Sequence, residues 1–452
     1  MAGVRPPLPP GPFLVVGLAR SGVAAAVALR GTGAAVSGCD AGAIGEEGRA
    51  ALTAAGVPVH ERTDGVALLE TVATLVKSPG VPQAAPVVQA ARARGIRVVG
   101  ELEVGWRLLP NEVIAITGSN GKTTTTELVG AIHRAAGVPV AVAGNVGTAL
   151  SSLAGTLSPE TVVVCECSSF QLEDTEAFAP EAAVLLNLAP DHLDRHGTFE
   201  AYRAAKLLLF ARQDPAAIAV LPVGLEADGA ARRVRFAPPG PAESSRAAAA
   251  EPAGADMEVR DGALSWRGTS VMPVSELRLR GVHNIENAMA AAAVTLARGV
   301  DPEAVRTALR TFAGVAHRLE EVATVGGVLY VDDSKATNVA SAVVGLRSFE
   351  GGVHAILGGR GKGEDYGALA AAVADRCRAV YLIGEEAAPL RVALGDTGVP
   401  LCDCGTLGRA VEAARATAAA GEVVLLSPAC ASYDQYRSFE ERGNHFRALL
   451  AS

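Results

Sequence analysis

Residues 114–126 read Ile114-Ala-Ile-Thr-Gly-Ser-Asn-Gly-Lys-Thr-Thr-Thr-Thr126, and the fold turns on the change of character within that run. Val113–Ile116 is a β-branched, apolar stretch suited to a buried strand, while Leu128, Val129 and Ile132 recur at helical spacing behind the threonines. Between them lies a glycine turn. Gly118 and Gly121 let the backbone bend tightly around Ser119 and Asn120 with its N–H groups inward. Lys122 opens the helix, where partial positive charge already favours an anion. Strand, Gly-x-x-Gly-Lys-Thr and helix together predict a phosphate cradle. Lys122 reaches the outer phosphates, and the Thr123 or Thr124 hydroxyl meets a hydrated Mg²⁺. The usual spacing has a further glycine at position 116, where this chain carries Ile116, so the loop is a shortened variant. The plainer reading is an ordinary glycine turn with a surface lysine.

Upstream, residues 1–12 are proline-rich and read as disordered. Phe13–Val16 predicts a strand, Gly17-Leu-Ala-Arg-Ser-Gly22 a turn, Val23–Leu29 a helix, and Val36–Asp40 a second strand ending in an acid. This is the outline of a dinucleotide-binding βαβ unit, except that Ala19 replaces the glycine that makes room for a pyrophosphate. The extra methyl argues against docked NAD. It leaves a helix start able to hold a phosphate or a uracil edge, or a purely structural turn. Leu75-Val-Lys-Ser-Pro-Gly-Val81 ends a strand in a rigid turn carrying Ser78, which lines the same pocket or is a plain loop. Glu101–Trp106 reads as the exit from this first region.

Downstream, Val140–Ala143 predicts a strand that presents Asn145 at its carboxyl end, where open parallel sheets bind ligands. Thr161–Cys165 is a continuous strand ending at Glu166, a place where a nucleotide's Mg²⁺ is commonly held. The strand Ala183–Leu188 delivers Asp191, His192, Asp194 and His196, and an imidazole among acids at a strand end suits a divalent cation, with His192 the candidate. Phe199–Phe210 has an amphipathic helical pattern with Lys206 on or beside its apolar side; alone, that lysine reads as snorkelling to the surface. Asp228–Ala255 lacks periodicity and predicts a loose insert. A helix from about Arg280 carries Asn284 and Asn287 at i, i+3, placed to cap a helix or to grip a base or phosphate. Thr311–Arg318 reads as a hinge with Arg318 able to swing over a phosphate. Strands at Val328–Val331, His354–Leu357, Ala379–Ile383 and Val423–Leu426 predict a third α/β layer, whose loops carry Lys335, Lys362 and Ser432 for a small dianionic substrate.

The 452 residues exceed one ordinary core, and 49% hydrophobic with 19% charged residues describes a compact soluble chain. A net charge of -8 speaks against a nucleic-acid partner. The seven cysteines are odd in number and lack zinc spacing, so they read as reduced thiols of a cytoplasmic protein. Arg20 interrupts the apolar run Phe13–Leu29, and no uninterrupted run is long enough for membrane insertion.

Thr117-Gly-Ser-Asn-Gly-Lys-Thr-Thr, Gly144-Asn-Val-Gly, Asp191-His-Leu-Asp, His283-Asn-Ile-Glu-Asn, His317-Arg318 and Asp333-Ser-Lys-Ala-Thr-Asn occur together, in the order found in the Mur ligases, and nearly the whole chain resembles that family. The resemblance implies three α/β domains: a Rossmann-like UDP-sugar domain (1–104), a P-loop-type ATPase domain (105–314), and a Rossmann-like domain for amino acid and nucleotide (315–452). It implies an ATP-dependent ligase that adds D-glutamate to UDP-N-acetylmuramoyl-L-alanine through an acyl phosphate. A sister ligase of the Mur or folylpolyglutamate type, adding a different amino acid, is the alternative. Two Mg²⁺ ions are expected, one served by Thr123 and Glu166 and the other by His192. Lys206 matches a family lysine that CO₂ converts into an anionic carbamate supporting the second ion. Asn145 positions the substrate or acyl phosphate. Asn284 and Asn287 face the nucleotide, as do Arg318, Asp333, Lys335 and Thr337. Lys362, Ser432 and Phe439 match positions that hold D-glutamate. Gly17, Arg20, Ser21 and Gly22, with Asp40 and Ser78, are the matching UDP contacts. A monomer is expected.

Overall fold

The computed structural model describes residues 3–237, 254–279, 281–361 and 363–451. Lys362 and the centre of the insert expected at 228–255 lie outside the described residues.

Among the described residues, twenty strands form three sheets. The first comprises β1 (Phe13–Val16), β2 (Val36–Asp40), β3 (Val59–Glu61), β4 (Thr74–Lys77) and β5 (Arg97–Gly100). The second runs through β6 (Val113–Thr117), β7 (Val140–Gly144), β8 (Val162–Glu166), β9 (Ala182–Leu185), β10 (Ile218–Pro222), β11 (Arg232–Phe236), β12 (Met257–Arg260), β13 (Ala263–Trp266) and β14 (Thr269–Pro273). The third holds β15 (Glu320–Val325), β16 (Val328–Asp332), β17 (Val353–Gly358), β18 (Cys377–Ile383), β19 (Leu401–Gly405) and β20 (Val423–Leu426). The chain divides into two compact units, one of residues 1–278 with 283–312, which contains the first two sheets, and one of residues 279–282 with 313–452, which contains the third.

The first sheet is parallel throughout in the order β3-β2-β1-β4-β5, so the chain reverses direction between β1 and β4. A crevice opens at the carboxyl ends of strands at such a reversal. Gly17 follows β1 and Ser78 follows β4, and the Ser78 hydroxyl donates to Gly17 O at 2.5 Å. In the second sheet the order β9-β6-β8-β7 places β6 between β9 and β8. Ile116 pairs with Glu166, and Gly144 also pairs with Glu166, so the loops after β6, β7 and β8 emerge along one edge. All of β6 is buried, as are Ala182–Leu185 of β9, and burial of each Val, Leu or Ile stabilises by about 1.5–3 kcal/mol. The third sheet runs β15-β16-β20-β17-β18-β19, antiparallel only between β15 and β16.

Two sequence expectations fail here. Residues 3–12 are not a loose leader. The Arg5 guanidinium donates to Glu181 Oε1 at 2.8 Å and to Asn111 O at 2.7 Å, and lies 4.5 Å from the Trp106 ring centroid, while Thr74 Oγ1 donates to Pro10 O at 2.8 Å. Likewise β11 occupies part of the segment read as a loose insert, pairing in parallel with β10. The exit segment Glu101–Trp106 lies in a helix, Glu101–Leu108, whose acids join the first two sheets. Glu103, fully buried, accepts the backbone N–H groups of Glu176, Ala177 and Phe178 at 2.9–3.0 Å, and Glu101 accepts that of Ser151 at 2.7 Å.

All seven cysteines are free thiols, and no helix among the described residues is long and apolar enough to cross a membrane.

Candidate active site

The phosphate loop leaves β6 and enters the helix Lys122–Ala135 through Gly121, whose φ of 82° is a left-handed conformation natural to glycine. A Cβ on Gly121 would lie 2.1 Å from Asn287 Oδ1. That amide cannot easily retreat, because it is buried, accepts from Thr125 Oγ1 at 3.3 Å and donates to Asn284 Oδ1 at 3.0 Å. The two asparagines singled out by spacing therefore pack behind the loop. Gly121→Ala is expected to destabilise the fold by about 1–2 kcal/mol from backbone strain alone. By displacing Asn287 it is also expected to weaken ADP binding about tenfold, a cost of about 1.4 kcal/mol. Thermal denaturation and calorimetric titration read the two effects.

The loop is braced from β9 and from the helix Phe199–Ala211. Asn120 N donates to Asn187 Oδ1 at 2.9 Å, and Ser119 Oγ lies 2.9 Å from both Ala189 O and the Tyr202 hydroxyl. Lys122 Nζ lies 2.9 Å from Gly118 O and 2.9 Å from Ser119 O. Lys206 is not a snorkelling surface residue: it is 1% exposed, donates to the same Gly118 O at 2.8 Å, and lies 4.7 Å from the Tyr202 ring centroid. Burial first, and the Lys122 charge second, bring the Lys206 ammonium down to about 7. A fold that keeps two lysines on one carbonyl is built to face negative charge.

Glu166 ends β8 almost fully buried. Its Oε1 accepts from Asn145 Nδ2 at 3.0 Å, while Oε2 is buried with no hydrogen-bond partner. A carboxylate oxygen left unsatisfied at the edge of a phosphate loop costs free energy unless a cation meets it, and a divalent ion fits this donor chemistry. Thr123 follows the loop lysine on the same helix, and Thr124 is buried. His192 sits at φ 53° at the start of the short helix Leu193–His196, with its side chain about half exposed and Nε2 3.4 Å from Asp191 Oδ2. Of the other residues in that cluster, His196 is turned inward onto Glu173 and Ser169.

The structure also gathers the expected UDP contacts. Gly17 has φ 83°, and a Cβ on Gly22 would lie 1.9 Å from Gly17 O, so this turn requires both glycines. Asp40 spends its two oxygens on the backbone, accepting from Leu18 N at 2.7 Å and Gly42 N at 2.8 Å. Arg20 and Ser21 open the helix Arg20–Gly31 beside it. A cavity of about 1020 Å³ runs from Leu18–Arg20 along this helix to Gly147 and Ser151–Thr156. Its lining is mostly alanine, valine and glycine, and only Arg20 and Glu47 are charged.

In the second unit, Asp333 follows β16, buried and accepting from Ser427 Oγ at 2.6 Å; burial raises its carboxyl to about 7. Arg318 lies close enough to oppose that rise. Lys335 N donates to His317 O at 3.0 Å, and Lys335 Nζ lies 5.8 Å from the Phe439 ring centroid. Ser334 Oγ donates to Phe439 O at 2.8 Å, and Ser432 is buried where its carbonyl accepts from Tyr436 N. Thr337 follows in the turn before the helix Val339–Arg347. His317, Glu320 and Asp332 bring three potential ligand atoms within 4.8 Å of one another, but Arg447 is already ion-paired to both carboxylates.

Asn187, Tyr202, Glu173 and Ser169 are the site residues that sequence reading missed. Only Tyr202 left a signal, lying four residues before Lys206 on one helix face.

Residues 116–295 match the model of the Mur ligase middle domain, and residues 317–430 match that of the Mur ligase glutamate ligase domain. The UDP-N-acetylmuramoylalanine–D-glutamate ligase of Acidobacterium capsulatum is 42% identical, over 97% of this chain and 95% of the relative. The enzyme of the same name from Anaeromyxobacter dehalogenans is 44% identical over 96% of each chain. Among solved structures, the UDP-N-acetylmuramate-alanine ligase of Thermotoga maritima superimposes with a TM-score of 0.60 at 18% identity, covering 97% of this chain and 99% of that one. A MurF ligase from Thermotoga maritima, solved with ADP, gives 0.57 at 16% identity over 92% and 95% of the two chains.

Proposed function

This chain belongs to the Mur ligase family, and from that premise we propose that it is an ATP-dependent ligase joining D-glutamate to UDP-N-acetylmuramoyl-L-alanine in peptidoglycan synthesis. The observation that carries the chemistry is the convergence of Lys122, buried Lys206 and the unpartnered Glu166 oxygen on one phosphate loop. The names of the most similar relatives support the choice of substrates.

A carboxylate is a poor electrophile, since its leaving group would be oxide. Phosphorylation by ATP turns that oxygen into a stabilised phosphate leaving group, and the amine of D-glutamate then displaces it. The substrate carboxylate and the γ-phosphate are both anionic, so they approach only where fixed positive charge offsets their repulsion. Lys122 supplies that charge from the helix start. The N–H groups at the start of the helix Lys122–Ala135 hold the phosphates, whereas Ser119 and Asn120, expected from the sequence to point theirs inward, donate them to Asn187 and so brace the loop, with Asn284 and Asn287 behind it. Asn145, already oriented by Glu166, holds the acyl group. Mg²⁺, when bound, would neutralise further phosphate and acyl charge. Thr123 and Glu166 would hold one ion, and His192 a second with support from a Lys206 carbamate. An amine near pKa 7 is about half unprotonated at neutral pH, and CO₂ capture requires that free form.

In the same reading residues 1–104 take the UDP sugar through Gly17, Arg20, Ser21, Gly22, Asp40 and Ser78. Residues 105–314 take ATP, and residues 315–452 bring Lys362, Ser432 and Phe439 to D-glutamate and Arg318, Asp333, Lys335 and Thr337 to the nucleotide. We place the reaction in the cytoplasm and on a monomer.

Purified protein given ATP, Mg²⁺, UDP-N-acetylmuramoyl-L-alanine and a panel of amino acids should release phosphate with D-glutamate alone. Release with another amino acid and none with D-glutamate would establish the sister-ligase alternative instead.

A further inference from the structure

His192 lies beside Asp191, which accepts its backbone N–H at 2.9 Å. It adopts a left-handed backbone conformation, its side chain is about half exposed, and the helix it starts is only four residues long, too short to be stable alone. The other end of that helix is tied down twice: Arg195 donates to Pro79 O at 3.1 Å and lies 4.0 Å from the Phe170 ring centroid, and His196 is held through both its backbone and its ring. His196 N donates to His192 O at 3.0 Å, so the two residues are tied through the backbone. The His196 side chain is 1% exposed; Nδ1 lies 2.8 Å from Glu173 Oε1 and Nε2 lies 2.9 Å from Ser169 Oγ. A carboxylate only accepts, so Nδ1 carries the hydrogen towards Glu173, and Nε2 shares a second hydrogen bond with the Ser169 hydroxyl. The ring stacks on Phe170 at 5.2 Å with 8° between planes, and the same Phe170 ring meets His192 at 4.8 Å. Ser169 and Phe170 follow Glu166 closely, in the segment that leaves β8.

We propose that the Glu173–His196 pair is a positioning device, which ties the short helix to the segment after Glu166 and so sets the spacing and orientation of His192 relative to Glu166. His196 is then a positioning residue rather than a metal ligand. The inference rests on the metal role proposed for His192. Outer partners of this kind contribute by orienting a ligand before the ion arrives.

The test compares the unaltered protein with His196→Phe, which keeps the stacked ring and drops both polar contacts, and with Glu173→Gln. His196→Asn, which retains a donor near the Nδ1 position, serves as the conservative rescue. Amide hydrogen exchange of residues 190–197, measured without ligand, should rise about tenfold in His196→Phe while residues 162–166 stay unchanged. Mn²⁺ binding in the presence of ADP, read by electron paramagnetic resonance, should weaken about 10–100-fold, with partial recovery in His196→Asn. A folded His196→Phe protein that matches the unaltered protein in both readouts overturns the proposal. If that variant does not fold, Glu173→Gln is judged by the same two criteria. Failure of the unaltered protein to bind Mn²⁺ would sink the metal reading, and hydrogen exchange alone would then decide whether the clamp exists.

Discussion

Lys122→Ala is expected to lower the rate of D-glutamate-dependent phosphate release at least about a thousandfold. At about 4 Å and an effective dielectric near 20, one carboxylate charge and one phosphate charge repel by about 4 kcal/mol, and a cation at similar range offsets a comparable amount. Each 1.36 kcal/mol is about a factor of ten in rate, which gives the expected loss. The variant should still fold. Lys122 is half-buried and its ammonium lies on the Gly118 and Ser119 carbonyls, whereas the loop's shape comes from β6, Gly121 and the contacts of Ser119 and Asn120. Circular dichroism and a phosphate-release assay on the same preparation separate the two. A well-folded variant with near-normal turnover would show that the loop lysine does not bring the acids together.

Lys206→Arg should be nearly as damaging, by about a hundredfold or more, because arginine keeps a positive charge but forms no carbamate, and a lost ion site removes several kcal/mol of charge stabilisation. The unaltered protein supplies a matching pH signature. Its amine is held near 7 in the fold, so at fixed dissolved CO₂ the carbamate-dependent activity should climb as pH rises through about 7 and then level off. A lysine at its ordinary value would still be climbing well above that. The linked stability has a definite sign. The folded value lies below the unfolded one, so the unfolded chain binds more protons between about 7 and 10.5, and this residue favours the fold increasingly as pH rises across that window. Removing dissolved CO₂ should lower activity reversibly. Full activity of Lys206→Arg would eliminate the carbamate.

What could be read from the chain was what continuous local pattern carries. The strands Phe13–Val16 and Val423–Leu426 fall where their apolar runs begin and end, Val36–Asp40 ends at the acid as read, and Lys122 opens its helix as the glycine turn requires. The phosphate loop, Asn145 and Glu166 were legible because each ends a buried strand. The failures are non-local. The proline-rich composition of residues 1–12 suggested disorder, yet Arg5 finds Glu181, 176 residues away. The alternating arginines of Arg232–Phe236 masked a strand whose buried side is only Val234 and Phe236. Lys206 was ambiguous on the helix pattern alone, because its burial depends on Gly118 and Tyr202 arriving from other elements. Glu173 and His196 had no local signature, since an acid and a histidine 23 residues apart reveal nothing until the chain brings them to 2.8 Å.

The most direct test of the central claim, that the phosphate loop drives phosphoryl transfer onto a substrate carboxylate, follows the oxygen. UDP-N-acetylmuramoyl-L-alanine labelled with ¹⁸O in both carboxylate oxygens is incubated with the protein, ATP, Mg²⁺ and D-glutamate, and the released phosphate is weighed by mass spectrometry. Transfer through an acyl phosphate predicts one ¹⁸O in each phosphate and one retained in the new amide. Unlabelled phosphate released in step with amide formation would contradict it.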